Sequence, residues 1–232
     1  MEKLVYITRR PEGRSIDEVR EALVGDVGKR ILDAGVAGLI VQVADLADDP
    51  RVKPQMLFGE GASFASCCSV WIDSLDHRGP IEEALASLGG RVDGWLVTES
   101  IPQACTDRDW LDGERSPGVT QLVTFPKPER LSDDEFFRAW HDGHTPFSFE
   151  LHPTRWSYTR NVAVRAVTPE APAWRALVEE RWRTFEEWLD PDQLFGSPEV
   201  MKRSAEEVTE YADFASLHQT LLSEYILRSP FA

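Results

Sequence analysis

The densest knot of side chains able to do chemistry lies in LSDDEFFRAWHDGHTPFSFELHP, residues 131–153. His144 is its leading acid or base, because an unperturbed imidazole titrates near pH ~6.5 and can give or take a proton around neutrality. The bland alternative is a histidine that caps a helix end. His141 and His144 lie three apart with Asp142 and Gly143 between them, which invites a metal reading. Helical zinc motifs instead place histidines four apart with a glutamate between, and no third ligand stands at a recognisable spacing. No metal is expected. There is no GxGxxG, Walker loop or GxSxG elbow, and no cofactor is expected either.

A helix must hold these residues. Ser132 followed by Glu135 is a capping box, and Leu131 with Phe136 fits the hydrophobic staple around it, so the helix starts near Asp133. Phe136, Trp140 and His144 recur at steps of four and share one face, with Phe137 and His141 on the neighbouring stripe. Gly143 and Pro146 loosen or end the helix, since proline lacks a donor and pushes Thr145 away from helical angles. His144 then sits at an irregular helix end, and Trp140 and His141 become candidate substrate contacts.

The rest of the chain supplies the scaffold. Residues 3–9 read as a strand, Ser15 with Glu18 caps a helix running to about Ala34, and Gly35 stops it before a strand over 36–46. A third strand (63–73), a helix (81–89) and a fourth strand (94–101) follow. That is the ferredoxin-like order. Residues 105–118 are polar and turn-rich, as a linker should be.

The pattern then restarts. At an offset of 117 residues Pro11, Glu12, Ser15, Asp17, Glu18 and Ala22 recur as Pro128, Glu129, Ser132, Asp134, Glu135 and Ala139, and Glu99 parallels Glu224 at a slightly larger one. The second half repeats the order: strands at 121–125, 155–164, 175–184 and 216–227, the helix from 132, and mostly helix over 185–212. The reading is a duplicated chain with repeats at 1–104 and 119–232. Under the same offset Leu23, Val24 and Val27 stand where Trp140, His141 and His144 stand, so the site is expected in the second half alone.

A net charge of -15, with acids in excess in both halves, makes nucleic acid and anionic membrane poor partners. Three cysteines form no even framework, and the adjacent Cys67 and Cys68 in an apolar strand are no obvious nucleophiles. Without a signal-like start or an apolar span, a cytoplasmic protein is expected.

The run LSDDEFFRAWHDGHTP resembles the EthD signature of the dimeric α/β-barrel proteins, in which a helical aromatic and a histidine four residues later precede Gly-Pro. Here Thr145 stands in the glycine's place. Tyr158 and Asn161 in YTRN resemble that family's tyrosine-x-x-asparagine strand, and Glu180 with Trp182 its glutamate-x-tryptophan strand. Glu224 falls where the family often ends on an acidic strand. The likeness covers roughly 119–228 well and the first half weakly. It implies an α+β fold: two tandem ferredoxin-like units whose antiparallel sheets form an intrachain α/β barrel, as a monomeric pseudo-dimer or a homodimer. Relatives of that barrel include lactone isomerases, polyketide cyclases, small monooxygenases and, more distantly, haem proteins, although nothing in this sequence singles out an axial ligand.

Tyr158 is placed to orient a carbonyl or phenol, and Glu180 to assist proton transfer if burial raises its pKa. Satisfied structural hydrogen bonds are the alternative for both. Arg160 binds a carboxylate or pairs with a surface acid, and the tryptophans line a ligand or fill a core. The reading is a cofactor-independent acid/base enzyme using His144, Tyr158 and Glu180 on a small aromatic, lactone or polyketide-like carbonyl compound, held in an aromatic-lined barrel mouth. Trp140, His141, Arg160, Asn161, Trp182 and Glu224 would bind the substrate. The alternatives are a non-catalytic ligand-binding or accessory protein of an oxidative catabolic pathway, or a cofactor-free monooxygenase.

Overall fold

The computed structural model describes residues 1–230. Runs rich in β-branched and aromatic residues form β1 (Glu2–Arg9), β2 (Gly38–Val43), β3 (Phe64–Ile72) and β4 (Val92–Gln103), followed by β5 (Val119–Phe125), β6 (Ser157–Ala166), β7 (Ala176–Trp182) and β8 (His218–Arg228). They close into one antiparallel barrel in the order β1-β3-β2-β8-β5-β7-β6-β4. The first four lie as β4-β1-β3-β2 and the last four as β8-β5-β7-β6, the same order twice. The seams are β2 against β8 and β4 against β6. The expected α+β barrel closed within one chain is what the chain forms.

Alternation along each strand separates a lumen from an outer surface. Val5, Ile7, Cys67, Trp95, Leu122, Ala163, Leu177 and Leu222 come from strands all round the barrel and meet inside it. Leu4 and Tyr6, one residue out of phase, pack outward against α1 (Ile16–Val24), α2 (Asp26–Asp33) and α3 (Gly79–Ala86). The single helix expected up to Ala34 is thus two. Gly25 leaves helical angles at φ -96°, ψ -111° between them.

The second half carries α4 (Asp133–Phe137), a π-helical turn over Arg138–His144, α5 (Thr145–Leu151), α6 (Phe185–Leu189), α7 (Pro191–Phe195) and α8 (Pro198–Glu207). The Ser132–Glu135 capping box is present. Pro146 does not end the helix, and Thr145 keeps helical angles (φ -59°, ψ -47°). In the widened turn the Thr145 N–H reaches back five residues to the Trp140 carbonyl, and Pro146 falls in the first turn of α5, where a missing donor costs little. Asp190, Pro191 and Gly196 break residues 185–212 into three short α-helices, the last followed by a 3₁₀ turn over Val208–Glu210. No helix among the described residues is long and apolar enough to cross a membrane.

Candidate active site

Between the outer face of β5, β7 and β6 and the helices of the second half lies a cavity of about 360 Å³, within the range of small-molecule sites. Val123, Phe125, Trp140, Val178, Trp188 and Leu194 supply apolar walls, while its polar groups include His144, His152, Tyr158, Glu180 and Gln121, with Ser204, Tyr211 and Gln219. Its roof comes from the other half of the chain. Gln55, Met56 and Phe58, in the long β2–β3 connection, border the cavity and are tied to β8 by Gln219 Nε2 donating to the Met56 carbonyl at 2.8 Å and Gln219 N–H to the Phe58 carbonyl at 3.0 Å.

The barrel-mouth expectation is therefore corrected. The lumen is filled, by the apolar cluster above and by a chain of buried ion pairs. Lys3 Nζ lies 2.6 Å from Glu99, Gln42 Nε2 donates to Glu179 at 2.8 Å and to Glu224 at 3.2 Å, and Arg181 lies 2.8 Å from Glu224. The room for a ligand is outside the barrel, beneath the helices.

The π turn brings His144 into the cavity. Its Nδ1 is 2.9 Å from Glu207 Oε2 in α8, and the Tyr211 hydroxyl stands 3.3 Å from the same nitrogen. A carboxylate can only accept, so Nδ1 carries the hydrogen and Nε2 is left free. Alternation along β6 and β7 turns Tyr158 and Glu180 out to the same cavity. Burial, with the Glu180 charge adding to it, pushes the Tyr158 phenol up to about 12. The Thr145 side chain stands near its hydroxyl, but no hydrogen bond of good geometry reaches it among the described residues. Burial also acts to raise Glu180, but His152, Arg155 and His144 outweigh it and hold the carboxyl below its ordinary range. Glu180 is thus a buried carboxylate, bonded by Arg155 Nη1 and by Gln121 Nε2 at 3.3 Å, and not the raised acid that the condition on burial envisaged.

Five expected substrate contacts lie elsewhere. His141 packs its ring 4.6 Å from that of Trp140 and 5.1 Å from that of Phe137, and burial, with Arg160 nearby, lowers its pKa to about 4. Arg160 donates to Thr145 Oγ1 at 2.7 Å and Ser100 Oγ at 3.1 Å, bracing the end of the π turn against β4. Trp182 is fully buried with Val119, Phe185 and Leu221. Asn161 and Glu224 have the opposite phase and point into the lumen, Asn161 donating to Glu179 at 2.9 Å. Trp140 does line the cavity.

Sequence reasoning passed over His152, Arg155, Glu207, Tyr211 and Gln121. His152 is buried, and its Nδ1 donates to the Leu194 carbonyl at 2.7 Å; burial lowers its pKa. Burial favours its neutral form, and its Nε2 meets no hydrogen-bond partner among the described residues. Arg155 is enclosed by Glu180, Gln103 and Ser148 and stacks over Tyr158 at 4.3 Å. One signal was readable: Gln121 and Glu180 interrupt otherwise apolar outward faces, Val119-Gln121-Val123-Phe125 and Ala176-Val178-Glu180-Trp182. Among the described residues no group of three His, Cys, Asp or Glu side chains is placed to hold a metal ion.

A scan against protein-family models finds no match, and a search of curated proteins finds none. Solved structures do resemble the chain. An anthrone oxidase-like protein matches with a TM-score of 0.59 at 10% identity, over 100% of this chain and 95% of that one. A putative monooxygenase from Fusobacterium nucleatum gives 0.52 at 12% identity, over 98% and 92%. A dye-decolorizing peroxidase from Bacteroides thetaiotaomicron gives 0.52 at 8%, over 97% and 93%. At such identities the likeness carries the fold alone: an α/β barrel of the kind these proteins share.

Proposed function

We propose that the chain is a divergent EthD-like, cofactor-independent acid/base enzyme of the isomerase, cyclase or lyase type, acting in this cavity on a small aromatic, lactone or polyketide-like carbonyl compound. The observation that carries the reading is His144, whose ring is fixed by Glu207 at 2.9 Å and lines a largely apolar cavity. His144 Nε2 takes the proton from carbon beside the substrate carbonyl. The Tyr158 hydroxyl, short of a partner, donates to the oxygen as charge gathers on it. Glu180 does not move a proton; it stays ionised and stabilises the positive charge that His144 gains. A barrel already closed within one chain builds this site without a second copy.

The names of two structural neighbours, anthrone oxidase-like protein and putative monooxygenase, favour a second reading that shares the first step. In it the carbanion left by deprotonation reacts with dioxygen in place of reprotonating. The test is turnover of anthrone and of cyclic 1,3-dicarbonyl compounds, with and without oxygen, over a range of pH. A positioned base contributes about 10²–10⁴-fold, so His144→Ala should lose activity by that factor while circular dichroism stays unchanged. Equal turnover by the variant would remove His144 from the mechanism. Saturable binding without product would leave a ligand-binding protein, and a Soret band in the purified protein would end the cofactor-independent reading.

A further inference from the structure

Resting on the assignment of this cavity as the working site, we infer that it selects neutral ligands that donate hydrogen bonds, phenols and enols, and rejects carboxylates. The charge of the lining carries the argument. Glu180 is its one carboxylate among the described residues, and no lysine, arginine or aspartate lines it. The nearest cation, Arg155, is fully committed to Glu180, Gln103 and Ser148. An anionic ligand would be stripped of water beside the Glu180 carboxylate with no uncommitted lysine or arginine in the lining to pair with it.

The polar groups also have a direction. Gln121 gives one amide hydrogen to Glu180 and its oxygen accepts from Trp188 Nε1 at 2.8 Å, which leaves its second amide hydrogen as a donor. The Leu194 carbonyl holds the His152 hydrogen on Nδ1, leaving Nε2 as a bare acceptor. Around Glu180 the cavity therefore offers acceptors at Glu180 and His152 Nε2, beside the donors of Gln121 and Tyr158. A ligand hydroxyl can donate to Glu180 or His152, whereas an ether or a carboxylate can only accept and leaves both of those acceptors unpaired.

Two matched pairs of probes separate charge from donor capacity: 1-naphthamide against 1-naphthoate, and 1-naphthol against 1-methoxynaphthalene. Quenching of Trp140 and Trp188 fluorescence at pH 7.5 reports binding to the intact chain. Naphthamide should bind at least tenfold tighter than naphthoate, and naphthol at least fivefold tighter than its methyl ether. Glu180→Gln should shrink the first ratio at least threefold. If that variant unfolds because Arg155 loses its counter-ion, the wild-type ratios decide. Naphthoate binding as well as naphthamide, or the ether as well as naphthol, overturns the inference and leaves turnover by His144 to be measured separately. Binding in the expected order without turnover sinks the catalytic reading and keeps this one; binding of none of the four overturns the cavity's assignment itself.

Discussion

His144 and Glu207 form a pair whose geometry does the work attributed to it only if the ring is held still. Glu207→Ala frees the imidazole to rotate and should lower kcat about 10- to 100-fold with KM little changed. Glu207→Gln keeps an acceptor for Nδ1 and should restore most of that loss; a steady-state comparison of the two variants checks it. A second expectation concerns stability. Burial, as the leading cause, lowers both His141, to about 4, and His152 in the folded chain. The unfolded chain, with imidazoles near their ordinary pKa of ~6.5, therefore binds more protons below that pH. Stability falls as the pH drops from 7 toward 5, and thermal melts should show His152→Asn, which keeps the donor to Leu194, with a shallower fall. At this scale the sequence was partly legible. Trp140, His144, Tyr158 and Glu180 share one cavity, and helical and strand periodicity could place them. His152 and Arg155 sit in the irregular stretch before β6, and Glu207 and Tyr211 at the end of a run of broken helices, where no period tells which side chains turn inward.

The element that matters most is the π turn between α4 and α5. Gly143 and Pro146 read as breakers because the usual argument counts lost i to i-4 bonds. A π turn changes the count. The extra residue lets Thr145 bond to Trp140, five back, and Arg160 brace the Thr145 hydroxyl, so the helix continues through both breakers. Deleting Gly143 removes the extra residue and should convert the turn to regular α-helix, re-aiming the side chains within it. Circular dichroism should then show helix content retained, while ligand quenching of Trp140 is lost. The capped start of α4 was readable because Ser132 and Glu135 act locally. The π turn was not, since its stabilising partner, Arg160, lies in a strand that the spacing of residues 131–153 does not reveal.

Across the whole molecule the repeated order of strands and helices pointed to two ferredoxin-like units, and the resemblance to the dimeric α/β-barrel proteins implied that they close into one barrel. Which face of each strand meets the lumen did not follow, because alternation defines two faces without naming either. That ambiguity let Asn161 and Glu224 stand beside Tyr158 and Glu180 as substrate contacts. The structure gives the two sets different tasks: the outward set borders a cavity, and the inward set belongs to an ion-pair network running from Lys3 and Glu99 to Glu224 and Arg181. Lys3, 6% exposed, faces Glu99 at 2.6 Å and Glu179 of the other half at 3.9 Å. Removing one partner of a buried pair costs about 3–5 kcal/mol. Lys3→Met should thus lower Tm by roughly 6–20 °C, seen by calorimetry, with ligand affinity below the melt unchanged.

The cover that Gln55, Met56 and Phe58 provide has a practical outcome. Cutting the chain within residues 105–118 and keeping the C-terminal piece would retain every imidazole of the site yet leave the ligand open to bulk solvent on one flank. Efforts to alter what this protein accepts should begin around residues 55–58, nearly ninety positions upstream of the chemistry, in the half that carries none of it.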